Sequence, residues 1–296
     1  FGIPEHKLKL APTGIDPSYL QVNRQSSESW KSKNGLKDCF LILYTGSFNE
    51  AYNFDSIFKV ANELSKGTCK IKWLFAGNGR QLNKILQAQQ ENSDIFYMGN
   101  LAKDDLTPLY ANADLGLLLH SDVELLKTAL SGKLFDYFSH KITVLSLSKG
   151  ISGKIVKLSG GGVVIDQRDV SAITDIILKL VGNRSELAKM SERGFAWASK
   201  HFQMTFSCSI INDLLSLNIS NRKSHQWIRF VPALIYASRD FIFQKNKSRI
   251  QTLFTRNIEM VIDKSLEEWL SLKKSQDNNL DDYELPEIIS KRKIEL

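Results

Sequence analysis

Short apolar runs alternate with amphipathic segments along the first two thirds of the chain. The run 39–45 (Cys-Phe-Leu-Ile-Leu-Tyr-Thr) has no polar alternation, which is typical of a parallel strand that is buried on both faces. The segment 54–66 repeats apolar residues at the spacing of a helix that buries one face. The same alternation predicts further strands at 71–76, 95–98 and 115–119, and helices at 80–90 and 104–113.

The stretch 131–166 continues this pattern with a loop, a helix at 134–138, a buried strand, a polar turn, a short helix and a short strand. Helices are then predicted at 171–181, 184–201 and 205–217. Strands that alternate with helices at this spacing form parallel βαβ units, with helices on both faces of the sheet. We therefore predict an α/β fold with a Rossmann-like parallel sheet for residues 36–217.

The two ends of the chain differ from this middle part. Residues 1–35 contain three prolines and a polar run, which is typical of a connector. Because the sequence opens on Phe1 rather than Met, we expect a fragment or a processed chain. Residues 218–296 are predicted to be a basic, aromatic, helical extension that closes with a charged tail.

The net charge indicates the class of partner, and the cysteine content indicates the cellular compartment. The net charge of +7 and the pI near 9.1 favour phosphorylated metabolites, nucleic acid or an anionic membrane surface. Three cysteines without metal-ligand spacing indicate reduced thiols in a cytoplasmic protein. The sequence shows neither a signal peptide nor a run of roughly 18 apolar residues that could span a membrane.

The aromatic and cationic residues of the extension allow two interpretations. A helix at 227–243, flanked by the cations of 222–247, would suit a peripheral contact with the cytoplasmic face of the inner membrane. Pro232 interrupts this segment and favours a helix that packs on its own domain or on another one. Nucleic acid is not expected as a partner, because the aromatics cluster in one tail and are not spaced as a stacking platform.

Glycines follow the predicted strands at one edge of the sheet. They are Gly46, Gly77, Gly79, Gly99 and the glycine of the loop before Lys133. Ligands of parallel α/β sheets bind beyond the carboxyl ends of the strands, so this edge predicts a ligand cleft. The alternative is that each glycine serves a tight turn.

The start of the predicted helix at 134–138 offers groups that suit a phosphate. Ser131 is placed to cap the helix, so that free backbone N–H groups, Gly132 and the Lys133 ammonium would face one point. One turn later, Asp136 could accept hydrogen bonds from two ribose hydroxyls. The alternative is that Lys133 and Asp136 form a solvated helix face.

A set of motifs in a fixed order carries a family resemblance. The motifs are Gly-Ile-Pro-Glu at 2–5, Pro-Thr-Gly-Ile-Asp at 12–16, Tyr-Thr-Gly-Ser at 44–47, Phe-Ala-Gly-Asn-Gly at 75–79, Phe-Tyr-Met-Gly-Asn-Leu at 96–101, Leu-Tyr-Ala-Asn-Ala-Asp at 109–114 and Lys-Leu-Phe-Asp-Tyr at 133–137. Together they resemble the carboxyl-terminal, donor-binding half of a GT-B glycosyltransferase, in the retaining family 4 branch that builds bacterial surface polysaccharides. The resemblance covers residues 1–217.

The resemblance implies a role for each matching position. The loop before the Lys-Leu-Phe-Asp-Tyr helix would hold the donor's diphosphate, and Asp136 would bind the nucleotide's ribose. Lys133 would act in catalysis by neutralising the leaving diphosphate. The remaining binding positions are Ser131, Gly132 and Leu134 in the diphosphate loop, Gly46 and Ser47 at the phosphates, Gly77 and Gly79 in the cleft, and Met98 and Gly99 at the base.

The sequence also departs from the family pattern. Many members carry a Glu eight residues before the acidic ribose ligand, where this chain has Thr128; Glu124, one helical turn away, is a candidate catalytic substitute. The usual Arg and Lys after the first strand are missing, so Lys133, with Lys127, is left to neutralise the diphosphate. The residues in that region are Asn49, Glu50, Tyr52 and Asn53.

The function that the resemblance implies is a metal-independent, retaining transfer of a hexosyl group. The donor would be a UDP- or GDP-sugar bound as a substrate, without a cofactor, and the acceptor a sugar or lipid-linked sugar. The amino-terminal half that completes the active site is expected outside this chain. Two alternatives are a non-catalytic interaction or membrane-associating module with the same fold and, with less support, a nucleotide-sugar epimerase.

Overall fold

The computed structural model describes residues 13–15, 27–121, 124–127, 129–166, 168–205 and 207–209. These residues all belong to one compact unit of the chain. The predicted extension at 218–296, with its proposed membrane contact, lies outside the described residues. So do most of the predicted helix at 205–217 and most of the connector at 1–35.

Six parallel strands form one sheet in the order β3-β2-β1-β4-β5-β6. The chain begins at the centre, runs outward through β2 and β3, and returns to place β4 on the other side of β1. This reversal makes the crevice between the ends of β1 and β4 the expected ligand position of the fold. The strands are β1 (Phe40–Thr45), β2 (Ile71–Ala76), β3 (Ile95–Gly99), β4 (Leu115–Leu118), β5 (Thr143–Ser146) and β6 (Gly162–Val164).

Most of the helices follow a strand, and the longer ones bury one face. In the helix after β1, Asn53 caps the first turn by accepting a hydrogen bond from the Ser56 N–H, and Ile57, Val60 and Leu64 lie on the buried face. The helices are α1 (Ser27–Lys33), α2 (Phe54–Leu64), α3 (Leu82–Glu91), α4 (Thr107–Asn112), α5 (Glu124–Lys127), α6 (Gly132–Ser139), α7 (Ile151–Ser159), α8 (Val170–Gly182) and α9 (Arg184–His201).

The predicted α/β class and the alternation of elements are confirmed, with two local corrections. The predicted helix at 104–113 is a short 3-10 turn, Asp104–Leu106, followed by α4. Pro108 lies in the first turn of α4, where its missing N–H removes no helical hydrogen bond, so a new helix starts there. Within the predicted connector, residues 27–33 form the helix α1, which packs against α4.

Two buried tyrosines, Tyr110 and Tyr137, make hydrogen bonds to the carboxyl-terminal end of β1. The Tyr137 hydroxyl donates to the Leu43 carbonyl (3.2 Å) and accepts from the Thr45 N–H (3.3 Å). The Thr45 and Tyr110 hydroxyls are 3.0 Å apart. Because these polar groups are buried, leaving any of them unpaired would cost about 1–3 kcal/mol, so the network holds α4 and α6 in place against β1.

Candidate functional site

The site lies at the crevice between β1 and β4, where two loops pair with each other. Tyr52, after β1, forms an antiparallel bridge with His120, after β4. The Asn53 N–H donates to the Leu119 carbonyl (2.9 Å), and the Ser121 N–H donates to the Ala51 carbonyl (2.8 Å). The pairing stacks the two aromatic rings, with centroids 5.4 Å apart and an angle of 23° between their planes.

The glycine turns at this edge pack backbone against backbone. A Cβ on Gly77 would lie 1.8 Å from the Gly46 carbonyl oxygen, and a Cβ on Gly79 would lie 2.3 Å from that of Phe48. Gly77 (φ +144°) and Gly79 (φ +154°) also adopt dihedrals that other residues avoid. Close approach of the two turns therefore explains these two glycines, and their contact with a ligand stays a prediction.

Met98 and Gly99 lie at the end of β3, two strands from β1. The Gly77 N–H donates to the Gly99 carbonyl (2.8 Å), and the Gly46 N–H donates to the Ala76 carbonyl (2.8 Å). These bonds link the turns after three neighbouring strands. The predicted base and phosphate positions thus belong to one connected edge of the sheet.

Lys133 reaches from the first turn of α6 across to the turn after β1. Its Cε lies 2.8 Å from the position that a Cβ on Gly46 would take, so the glycine leaves room for the side chain. The ammonium donates to the Tyr52 hydroxyl (3.2 Å) and lies over the rings of Tyr52 (4.5 Å) and Tyr44 (5.2 Å). The structure thus brings the predicted lysine and the predicted Gly46 turn together.

The Lys133 ammonium lacks a close counter-ion within the described residues. No carboxylate oxygen in that part of the chain lies within 4.0 Å of its Nζ. Burial lowers the pKa of Lys133 to about 8, although the charge of Asp136 acts in the opposite direction. An anion placed beside the Gly46 turn would restore the lost solvation, so the geometry favours a phosphate there.

The start of α6 differs in part from the expectation. Ser131 holds the N-cap position, but its side chain makes no capping bond, and its N–H donates to the Ser152 hydroxyl (3.0 Å). Leu134 is fully buried, and its N–H donates to the Ser131 carbonyl (3.2 Å). Gly132 is exposed, and apart from its chain neighbours and the backbone of its own helix, no atom of the described residues lies within 4 Å of the position that a Cβ would take. Gly132 is therefore the residue of this loop that is open to a ligand.

Asp136 lies on the same helix as Lys133, three residues later, and is partly buried. Its charge contributes to the raised pKa of Tyr110 and of Tyr137 and supports the charged form of Lys133, so all three lie within its electrostatic reach. The residue predicted to bind the phosphate, Lys133, and the residue predicted to bind the ribose, Asp136, therefore occupy neighbouring positions on one helix face.

Glu124 is the first residue of α5, but its side chain and Thr128 lie outside the described residues, so its predicted catalytic role stays a prediction. Lys127, at the end of α5, lines a shallow cavity with about 290 Å³ of free space, part of it open to solvent. The cavity also contacts His120, Ser148, Lys149 and Asp166. Lys149 is paired with Asp166 (2.8 Å).

Tyr52 and His120 are site residues that the sequence did not predict. Tyr52 lies in the region after β1 where the usual cations are missing, and His120 follows β4 without a motif. Their only signal in the sequence is positional, because both residues come soon after strands that end at the crevice. Their contact depends on two loops that are distant in sequence.

The described ranges hold neither a metal cluster nor a membrane-spanning helix. Within them, no three side chains of His, Cys, Asp or Glu gather closely enough to hold a metal ion. None of the helices in the same ranges combines the length and apolar character needed to cross a membrane.

Comparison with known families gives one match. Residues 39–183 match the family described as glycosyl transferases group 1. The matched segment contains all six strands and both halves of the crevice described above. No curated protein matches the chain by sequence.

Solved structures of similar fold include a protein bound to UDP-glucose, a glycosyltransferase and the C-terminal domain of a glycosyl transferase group 1 family protein. Anabaena Alr3699/HepE in complex with UDP-glucose has 15% identity and a TM-score of 0.61, with 73% of this chain and 59% of that chain covered. WaaG, which is involved in lipopolysaccharide biosynthesis, has 18% identity and a TM-score of 0.54, with coverage of 66% and 53%. The C-terminal domain of LpcC from Francisella tularensis has 15% identity and a TM-score of 0.52, with coverage of 64% and 99%.

These likenesses show the fold. The chain spans little more than half the length of HepE and WaaG, whereas it covers nearly all of the isolated C-terminal domain of LpcC. The prediction of a carboxyl-terminal GT-B half is thereby confirmed.

Proposed function

Because residues 39–183 match the family described as glycosyl transferases group 1, we propose that this chain supplies the donor-binding half of a nucleotide-sugar-dependent glycosyltransferase. The observation that carries the proposal is the Lys133 ammonium beside the Gly46 turn, without a close carboxylate among the described residues. It lies at the crevice where this sheet topology binds ligands.

The proposed donor is a UDP- or GDP-hexose, with the diphosphate between Gly46, Ser47, Gly132 and Lys133 and the ribose at Asp136. Met98 and Gly99 would face the base. We propose transfer with retention of configuration, without a metal, to a sugar or lipid-linked acceptor in the cytoplasm. The acceptor side of the active site would come from an amino-terminal GT-B half, joined through residues 1–35.

The chemical role of this chain is to stabilise the leaving group. As the bond to the anomeric carbon breaks, negative charge grows on the departing phosphate, and a cation already in place stabilises that charge most effectively. Lys133 is held by Tyr52, Tyr44 and the Gly46 turn, so little reorganisation is needed when the charge develops.

The test is a calorimetric titration of the chain with UDP, GDP, ADP and TDP, and then with the UDP- and GDP-hexoses. We expect micromolar binding of one uridine or guanosine diphosphate. Equal or absent responses to all four nucleotides would contradict a donor site in this chain.

A second candidate is a binding module without catalysis. The observation that favours it is the small number of cations: within the described residues, Lys133 is the cation that contacts the Gly46 turn. The two functions differ in one readout, because the module would bind the nucleotide but would not release UDP from a UDP-sugar in the presence of its amino-terminal half and an acceptor.

The pKa of Lys133 predicts how diphosphate affinity depends on pH. The groups that face the ammonium are Tyr44, Tyr52, His120 and Asp136, and burial keeps both tyrosines protonated and His120 neutral. Above pH 8 the phosphates of UDP are fully ionised while Lys133 loses its charge, so affinity for UDP should fall by up to about tenfold per unit in that range. Uridine, which has no phosphate, is the control, and a parallel decline in its affinity would assign the effect to another group.

Replacement of Asp136 tests the ribose assignment. Asp136→Ala should lose about tenfold in UDP affinity, because a charge-assisted pair of hydrogen bonds to the ribose disappears. Asp136→Ala should reduce the affinity for the 2′-deoxy analogue of UDP less than it reduces the affinity for UDP itself. Calorimetry at pH 6.5 keeps Lys133 protonated in both proteins. An equal loss for both nucleotides would place the ribose elsewhere.

A further inference from the structure

Beside the proposed phosphate position, the Tyr52 hydroxyl carries a hydrogen that no described residue accepts. An ammonium group can only donate, so the Tyr52 hydroxyl is the acceptor in its 3.2 Å contact with the Lys133 Nζ. A hydroxyl that accepts in this way keeps its own hydrogen for another partner. Within the described residues, the Tyr52 hydroxyl has no acceptor for that hydrogen.

The Tyr52 ring is held in place without a ligand. Its backbone is bridged to His120, and its carbonyl accepts from the Gln81 side chain (3.2 Å). His120 stacks on one side of the ring, and Tyr44 meets it edge-on at 5.8 Å. A hydroxyl on a ring that is fixed in this way is already oriented, so its use in binding would cost little side-chain entropy.

The charges around Tyr52 leave its hydroxyl as a neutral donor. Burial raises the pKa of Tyr52, so the group stays protonated through the neutral and mildly alkaline range. Burial, with a smaller contribution from Lys133, lowers the pKa of His120 to about 4, so the stacked imidazole adds no second cation at neutral pH. Lys133 supplies the charge, and Tyr52 supplies an additional hydrogen bond.

From this geometry, and resting on the proposed donor site, we propose that Tyr52 is a second phosphate-binding residue. Its hydroxyl accepts from the Lys133 ammonium and donates its hydrogen to a non-bridging oxygen of the diphosphate that the same ammonium contacts. The pair Lys133–Tyr52 then provides one charge and two donors at the leaving group, in a region of the chain that holds no arginine or lysine between 47 and 58.

Tyr52→Phe tests this role, because the variant keeps the ring that stacks on His120 and loses only the hydroxyl. We expect UDP affinity at pH 7 to fall about tenfold while uridine affinity stays unchanged. The variant also removes a hydrogen-bond acceptor from the charged form of Lys133, so we expect the pKa of that lysine to fall. The decline of UDP affinity with pH should therefore begin below the value of about 8 expected for the parent protein.

Tyr97→Phe is the matched control. It removes a tyrosine hydroxyl at the same edge of the sheet, but one whose hydrogen is already donated to the Gly77 carbonyl (3.1 Å). This variant should leave the ratio of UDP affinity to uridine affinity within about twofold of the parent value.

The possible results separate the two proposals. If the parent protein binds UDP and Tyr52→Phe binds it equally well with the same pH dependence, the role of Tyr52 is refuted and the donor site stands. Equal losses for UDP and uridine in Tyr52→Phe would also refute it, since they show a structural effect. If the parent protein binds no nucleoside diphosphate, the donor site is refuted and the Tyr52 inference with it.

Discussion

Lys133→Met is expected to lower UDP affinity by about 10- to 100-fold at pH 7 while making the domain more stable. The methionine keeps the alkyl packing against Gly46 and removes the ammonium that the phosphate needs. In a complete enzyme, loss of this leaving-group cation should reduce kcat by about 10²–10³-fold. Calorimetry with UDP measures the first effect, and chemical denaturation measures the second.

The gain in stability follows from the sign of the pKa shift. The folded protein lowers the pKa of Lys133 to about 8, below its value in an unfolded chain, so between these two values the unfolded state binds more protons. The charged lysine therefore destabilises the folded state at pH 7, and this penalty disappears as the pH rises through 8 to about 10.5. Removing the ammonium should raise the free energy of unfolding by about 1–2 kcal/mol at pH 7, as expected for a group kept for function.

Lys66→Ala provides the control for the loss of one positive charge. Lys66 follows the end of α2, pairs with Glu63 at 3.1 Å, and has a side chain that is 71% exposed. This variant should leave the UDP affinity and the free energy of unfolding close to those of the parent protein. A Lys133→Met protein that binds UDP as tightly as the parent would contradict the assignment of the phosphate position.

Gly77→Ala should lower the free energy of unfolding by about 3 kcal/mol or more. Its Cβ would lie 1.8 Å from the Gly46 carbonyl oxygen, which is backbone and cannot rotate away, and the residue has φ +144°. The turn after β1 must therefore move, and Lys133 and Ser47 with it. We expect UDP affinity to fall together with stability, as measured by calorimetry and chemical denaturation.

Gly182→Ala is the matched control for this substitution. Gly182 ends α8, and apart from its chain neighbours and the backbone of its own helix, no atom of the described residues lies within 4 Å of the added Cβ. The change should leave stability within about 1 kcal/mol of the parent and UDP affinity unchanged. Equal stability of Gly77→Ala and Gly182→Ala would contradict the close packing of the two turns.

The strands, and the sheet edge at which the glycines meet, could be predicted from the sequence because they depend on local patterns. The apolar run before Gly46 is a strand with all six residues buried, and the glycines after the strands do meet at one edge. Lys133 and Asp136 could be predicted to share one helix face because only three positions separate them. Each of these signals is contained within a few neighbouring residues.

Other parts of the site could not be predicted, because they depend on contacts between distant segments. The role of Gly77 depends on the carbonyl of Gly46, and the position of Tyr52 depends on its bridge to His120. The prediction that the Ser131 side chain caps α6 was wrong for a similar reason, because the Ser131 N–H is bonded to Ser152 on another helix. Local propensity allows these arrangements but does not select them.

The most direct test of the account is a crystal structure of this chain with UDP. We predict that the distal phosphate lies within hydrogen-bond distance of the Lys133 Nζ and the Tyr52 hydroxyl, beside the Gly46 turn, with the ribose at Asp136. A nucleotide whose phosphates contact Lys127 and Lys149 in the neighbouring cavity, and leave Lys133 bound only to Tyr52, would contradict it.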